Sequence, residues 1–461
     1  MSDVDLERSS AINRLRSEIL LEVFRFSNAF KAVEDRNFDE KSSTQINNNA
    51  VVLSHADSHW RSITLSTPSL WCTFDISLPS TSPDEVPNSL TLLIELHLER
   101  SKNAALDIRV AFSPDNVDYG TSFPILPQLF RQAHRWRTAV LVLPDSKELE
   151  NTAFPKTFPL LQELDIRMLD IYEDGHCSAP VFRAPVLRKL AVSMFEYGGD
   201  YGSSCLREVI LSWMSPDVVA EFLKDVPEQC HVHIFTLFTP DSSPGLCEVT
   251  STLKTLSITA TDNILPSDED ALNNLLQSLT LLNVEGLEFA DKGRELFSLP
   301  AEQLVLMLKR SESSLTKLTH LKLDGYSLLD IDLLDILNHV PALTSFVLKE
   351  AYDPDADRPL TKQFFRRLDD FDGCRLVLVP KLTSIELLLR SEPHPWDALY
   401  TFLQSRTLPL LQDNLSPDIA RLQEAKIGVK RSEWETVANS WEGKLSKFRL
   451  DGLDLKVATR C

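Results

Sequence analysis

Seven segments of the 461-residue chain share one spacing of apolar residues, and that spacing limits the fold more than any other feature. They are FPLLQELDI (158–166), APVLRKLAV (184–192), CLREVIL (205–211), STLKTLSIT (251–259), LTKLTHLKLDG (315–325), VPALTSFVL (340–348) and LVPKLTSIELL (378–388). In each, an apolar residue is followed by two variable positions, a second apolar residue, one variable position and a third: L-x-x-L-x-L. Alternation of period two marks a strand, so the last two apolar side chains point to one side. The first turns in just before the strand. HIFTLF (233–238) and LNVEGLEF (282–289) read as degenerate copies.

L-x-x-L-x-L is the strand half of a leucine-rich repeat. One such unit cannot bury its apolar side alone, whereas stacked units share a continuous core. Leu161 to Leu187 spans 26 residues, Leu187 to Leu206 spans 19 and Leu318 to Leu343 spans 25. The step of 47 from Leu206 to Leu253 predicts a hidden copy. Helical pieces lie between the strands: PDVVAEFLKDV (216–226), ALNNLLQSL (271–279) and DIDLLDILNHV (330–340). The expected class is α/β, with an irregular leucine-rich-repeat-like solenoid and a curved parallel sheet over 91–461. An ordinary α/β domain with leucine-rich strands is the alternative, and a helix ending in Pro or Ser before each motif favours repeats. Segment 391–440 breaks the rhythm, SKFRLDGLDL (446–455) reads as a last strand, and Trp434 and Trp441 read as a cap.

The first 78 residues differ in kind. Ile12, Leu15, Ile19, Leu20, Val23 and Phe24 recur at three- and four-residue steps, which predicts one apolar face on a helix. Residues 31–49 are polar and read as a loop, and helical spacing resumes over Ala50–Leu65. Thr67-Pro68 offers a hydroxyl cap and a proline at a first helical position. Leu70, Trp71 and Phe74 then supply apolar anchors. SLPSTSPDEVPN (77–88) is the best boundary in the chain, giving a helical domain at 1–78, a linker at 79–90 and the solenoid at 91–461. After this boundary, Ser89–Arg100 and Ile125–Arg137 read as helices, followed by strands at Ala105–Phe112 and Thr138–Leu143.

Composition narrows the function classes. The net charge is −20, and residues 1–75 hold 11 acidic and 8 basic side chains, so about −17 belongs to residues 76–461. An acidic surface repels phosphates and disfavours a nucleic-acid partner; charge alone would favour a basic one. No run of 18 apolar residues predicts a membrane span, and the acidic start MSDVDLERSS does not read as a targeting segment. The expected location is cytosol or nucleus. Seven scattered cysteines without a C-x-x-C pair read as reduced thiols. With 13 glycines there is no G-x-G-x-x-G and no phosphate-cradling G-x-x-x-x-G-K-[ST]. H-E-x-x-H is absent too. Gly198–Gly202 lacks the strand–serine–helix context of a nucleophile elbow. His55 and His59 are four apart with Asp57 near, but no third ligand has metal spacing. The expectation is a non-enzyme with no cofactor and no metal; an enzyme with an unrecognised site is the remote alternative.

INRLRSEILLEVF (12–24) and LSHADSHWRSITLSTPSLW (53–71) resemble the F-box, in the form common in large fungal families. Leu15, Glu18, Ile19, Leu20, Val23, Phe24, Trp60, Arg61, Pro68, Leu70 and Trp71 match its pattern. Leu96–Val110 and His134–Leu143 resemble the segments that follow the box. Arg16 stands where the family has proline and Asp57 where it usually has cysteine, and the loop at 31–49 is longer. The resemblance implies docking of a Skp-family adaptor, and through it a cullin–RING ubiquitin ligase, by Leu15, Glu18, Ile19, Leu20, Val23, Phe24, Leu53, Trp60, Pro68, Leu70 and Trp71. It implies a protein substrate held by the repeats, through variable positions of L-x-x-L-x-L such as Glu163, Asp165, Lys189, Lys254, His320, Lys322, Thr344 and Glu386. A scaffold using both surfaces outside any ligase is the competing expectation.

Overall fold

The computed structural model describes residues 16–27, 45–46, 49–78, 88–112, 125–143, 154–168, 182–193, 203–239, 248–260, 268–292, 297–312, 316–351, 353, 356–372, 375–376, 378–390, 394–407, 419–430, 448 and 452–460. The chain divides into two compact units, Met1–Leu206 and Arg207–Cys461, each mixed α/β.

In the first unit the order is α1 (Ser17–Ser27), β1 (Gln45–Ile46), α2 (Asn49–Ala56), α3 (Ser58–Ser66), a 3-10 turn Pro68–Trp71, β2 (Thr73–Leu78), α4 (Asn88–Ser101), β3 (Leu106–Phe112), α5 (Ile125–Phe130), a 3-10 turn Ala133–Arg135, β4 (Trp136–Leu143), β5 (Glu163–Met168) and β6 (Lys189–Ser193). Strands β2 to β6 pair in sequence order and in parallel, and β1 joins β2 antiparallel. Alternation does what the spacing predicts: along β5, Leu164, Ile166 and Met168 are buried while Glu163 and Arg167 are exposed.

The second unit continues with β7 (Glu208–Met214), α6 (Pro216–Lys224), β8 (His231–Leu237), β9 (Val249–Ser251), β10 (Thr255–Ala260), α7 (Asp268–Ser278), β11 (Leu279–Leu281), β12 (Gly286–Asp291), α8 (Ala301–Arg310), β13 (His320–Asp324), α9 (Asp330–Asn338), β14 (Ser345–Lys349), α10 (Lys362–Leu368), β15 (Phe371–Asp372), β16 (Arg375–Leu376), β17 (Ser384–Leu388), α11 (Trp396–Thr407), β18 (Glu424–Lys430) and β19 (Asp454–Arg460). Its main sheet runs β7-β8-β10-β12-β13-β14-β17-β18-β19, every described pair parallel and every strand beside its predecessor. A doubly wound sheet reverses its strand order at a switch point; this one never does. Inward residues Leu256, Leu287, Phe289, Leu321, Leu323, Phe346, Leu348, Ile385 and Leu387 are buried and supply the core. Gly325 ends β13 at φ +90°, and a Cβ there would meet the carbonyl oxygen of Asp291, so the turn accepts only glycine.

Every segment read as a repeat carries a strand, including both degenerate copies. Several expectations need correction. Helical spacing over Ala50–Leu65 is two helices, because Asp57 breaks them apart: its backbone is extended and its carboxylate accepts the N–H of His59 at 2.7 Å, capping α3. The polar loop 31–49 includes β1 and the first residue of α2. The Thr67 hydroxyl makes no cap bond; its carbonyl instead accepts from Leu70 N–H at 3.1 Å. The helix over 125–137 stops at Phe130, since Trp136 and Arg137 belong to β4. Of the linker 79–90, positions 88–90 are the first turn of α4 and 79–87 lie outside the described residues. Segment 391–440 is not merely irregular, as it holds α11 and β18. The last strand starts at Asp454, eight residues later than read. Trp434 and Trp441 lie outside the described residues.

Candidate protein-interaction surfaces

The N-terminal helices close a small core of their own. Leu20, Phe24, Ala50, Ile63, Leu70 and Trp71 are buried together, with Leu21, Val51, Leu53, Trp60, Leu65 and Leu96 packed on them. Phe24 meets Trp60 at a ring distance of 5.1 Å, and Trp71 donates its indole N–H to the Thr64 carbonyl at 2.8 Å. That bond satisfies a donor that burial would otherwise strand. Arg16 immediately precedes α1, and its carbonyl accepts the Leu20 N–H at 3.0 Å, so Arg16 stands at the helix start rather than in its interior.

One helix presents two apolar faces. Leu20 and Phe24 are inside, whereas Ile19 is 50% exposed and Val23 44%. Ile19 and Val23 are four apart and so lie together on the outer side of α1, with exposed Glu18 and Glu22 beside them. Among the residues the resemblance marks for an adaptor, Glu18, Ile19 and Val23 are therefore at the surface, Leu53, Trp60 and Pro68 are half-buried, and Leu20, Phe24, Leu70 and Trp71 are internal. Leu15 lies outside the described residues. Exposed Val52, on α2, was not singled out by sequence reasoning; its position opposite the inward pair Val51 and Leu53 is the signal that would have found it.

Outward sheet positions are the second kind of candidate surface, and each unit has its own. Glu163 stands beside Lys189 in register in the first unit, and Asp165 is tied to Arg167 at 2.7 Å. In the second unit, His320 and Lys322 converge on Glu288 at 3.6 and 3.4 Å. The hydrogen bond from His320, then Lys322, holds the Glu288 carboxyl down to about 2, against the desolvation that opposes it. Lys254 lies just before β10 and meets Glu285 at 3.6 Å. Thr344 donates to the Thr319 carbonyl at 3.0 Å, and Glu386 is half-buried beside Val347 and Lys426 in register.

Sequence reasoning missed Glu288, although it occupies the variable position of the degenerate copy LNVEGLEF. It also missed Gly286, which leaves a gap between Thr255 and His320: a Cβ there would lie 3.2 Å from Thr255 Cγ2. Lysine–carboxylate pairs continue across the face, with Lys349 on Asp324 at 2.6 Å, Lys426 on Glu424 at 2.9 Å and Lys456 on Asp454 at 2.8 Å. Acids and bases alternate there, so the acidic surplus of the chain is not concentrated on these strands.

His55 and His59 are exposed and on different helices, and no group of three or more His, Cys, Asp or Glu among the described residues could hold a metal ion. No described helix is long and apolar enough to cross a membrane. No protein-family model matches the chain, and no curated protein matches it in sequence.

Proposed function

We propose that the chain is a substrate-recognition subunit of a Skp–cullin–F-box ubiquitin ligase, with an F-box-like block at 1–78 and an irregular leucine-rich-repeat-like solenoid behind it. The observation that carries this reading is the division of α1, whose Leu20 and Phe24 face inward while Ile19 and Val23 face out. Two exposed apolar side chains one turn apart on the outer side of a helix are the kind of anchor that a partner's apolar groove receives. The solenoid half is supported by strands that pair in strict sequence order with helices between them. In this reading the adaptor sits on α1, and a protein substrate sits on outward strand positions. The chain does no covalent chemistry itself; it holds a substrate lysine near a charged ubiquitin carrier and so raises effective concentration. It needs no cofactor and works in cytosol or nucleus.

Reconstitution of the full chain with a Skp-family adaptor and a cullin tests the proposal. A stable three-part assembly is expected. Adaptor binding without cullin recruitment would instead mean a scaffold outside the ligase, and no adaptor binding at all would end both readings.

A further inference from the structure

In the first unit, the two turns that lead into β5 and β6 have the same build. Phe158-Pro159-Leu160-Leu161 and Ala184-Pro185-Val186-Leu187 each close with the N–H of the last residue on the carbonyl of the first, at 3.4 and 3.0 Å. Proline at the second position presets the backbone for such a turn and leaves the third residue at its tip. Turns favour Gly, Asn, Asp and Ser, yet these tips carry Leu160, 47% exposed, and Val186, 37% exposed. The turns are locked side by side. Phe158 N–H donates to the Arg183 carbonyl at 2.8 Å, Arg183 N–H to the Lys156 carbonyl at 2.9 Å, and Arg188 N–H to the Gln162 carbonyl at 2.8 Å. The two backbones therefore stand one strand spacing apart, about 4.8 Å, and Leu160 and Val186, with exposed Pro159 and Pro185, make one apolar strip.

The same rim is basic. Lys156 and Arg183 precede the tips and Arg188 follows them; all three are exposed, and none forms an ion pair among the described residues. Residues 154–162, 182–188 and 203–206 contain no acid at all, in a chain that carries −20. We infer that this rim docks an acidic, apolar segment of another protein. Apolar side chains at the centre of the segment cover Leu160 and Val186, and flanking carboxylates meet Lys156 and Arg183 on one side and Arg188 on the other. A lipid surface or a nucleic acid would meet the same three bases, but each is an extended negative surface that the rest of this acidic chain repels. A short segment touches the rim alone, and salt screens it from more distant charges. The residues of the rim are neither those of α1 nor the outward strand positions, and the inference stands independently of the ligase reading.

Fluorescence anisotropy of the full chain with a dye-labelled peptide, two leucines flanked on each side by two glutamates, tests it. Saturable binding is expected, weakening about tenfold or more between about 50 and about 500 mM salt. Arg183→Glu/Arg188→Glu and Leu160→Ser/Val186→Ser should each weaken it about tenfold or more. Both double variants should melt with the parent, because all four side chains are exposed. The same peptide with lysine in place of glutamate should not bind. No saturable binding by the wild type overturns the inference, as does binding that either folded double variant leaves intact, or equal binding of the lysine peptide. Sedimentation with phosphatidylserine–phosphatidylcholine vesicles is the second arm, and no binding is expected there. Vesicle binding that is lost in Arg183→Glu/Arg188→Glu would give the rim to a lipid surface and overturn the inference as well.

Discussion

The ring of Phe24 lies 5.1 Å from that of Trp60 at an interplanar angle of 59°, which ties α1 to α3 through the middle of the N-terminal core. Their neighbours on α1 point the other way. This predicts two different outcomes for substitutions on the two sides of one helix. Phe24→Ala should cost about 3–5 kcal/mol, because it opens a cavity the helices cannot fill. Ile19→Ala should change stability by no more than about 0.5 kcal/mol. Chemical denaturation of both variants checks the pair, and equal costs would contradict the division of the helix into an inner and an outer side.

Asp57 caps α3, with its carboxylate on His59 N–H at 2.7 Å. Asp57→Ala should therefore destabilise the block by about 1 kcal/mol, and Asp57→Asn should recover most of that loss, since the amide oxygen can accept the same bond. An alanine variant as stable as the parent in thermal melts would show that the cap contributes nothing.

His97 is buried against the Trp71 and Phe74 rings, at 5.0 and 5.6 Å. Burial is the main cause that pushes its imidazole down to about 4, with the Trp71 backbone partly opposing. The folded value lies below the unfolded one, so the unfolded chain binds the proton first as pH falls. Stability from this group is thus full above about 6.5 and is lost progressively down to about 4, a change on the order of 3 kcal/mol. His97→Phe should flatten that window in denaturation curves taken at pH 7, 6, 5 and 4; an unchanged slope would assign the acid sensitivity elsewhere.

Arg406 is 4% exposed and sits over the Phe402 ring at 5.7 Å. Its guanidinium donates to the carbonyls of Leu378, Leu368 and Val379 at 3.3, 3.4 and 3.5 Å. Burial lowers its proton affinity to about 10, with Asp369 opposing. Arg310 treats the end of α7 in the same way, reaching the Leu276 and Leu279 carbonyls at 2.6 and 3.0 Å. Arg310 satisfies carbonyls where α7 stops, and Arg406 satisfies that of the last residue of α10 together with two in the segment before β17. Arg406→Ala should cost about 2–4 kcal/mol and Arg406→Lys should rescue little, because a point charge cannot span three acceptors. Full rescue by lysine in urea unfolding would refute the capping role.

These arginines also mark where sequence reading ends. Leu164, Leu321 and Leu348 declare their side by alternation alone, and the strands carrying them were legible. A single arginine in a helix looks the same whether it faces water or a row of carbonyls, so Arg310 and Arg406 could not be told from surface residues. EAKIGVK, which forms β18, alternates correctly and follows a leading leucine at Leu422, but Ala425 stands where the repeat has its second leucine, which weakens the pattern. Asp57 was visible as an odd residue in a helical stretch; its role as a cap needs the backbone to turn extended there, which spacing does not reveal. At the N-terminal block the apolar residues were legible as a set. The split between Leu20 with Phe24 and Ile19 with Val23 needs Trp60 and Trp71, which arrive from a distant part of the chain.

The most direct test of the central claim is a calorimetric titration of the full-length chain with a purified Skp-family adaptor, for wild type and for Ile19→Asp/Val23→Asp. Both substitutions are on the outer side of α1, so the double variant should melt with the parent. The account predicts saturable binding by the wild type and at least about a hundredfold loss in the variant, as expected when charges replace apolar anchors at the centre of an interface. Undiminished binding by a folded double variant, or no binding by the wild type, would contradict it.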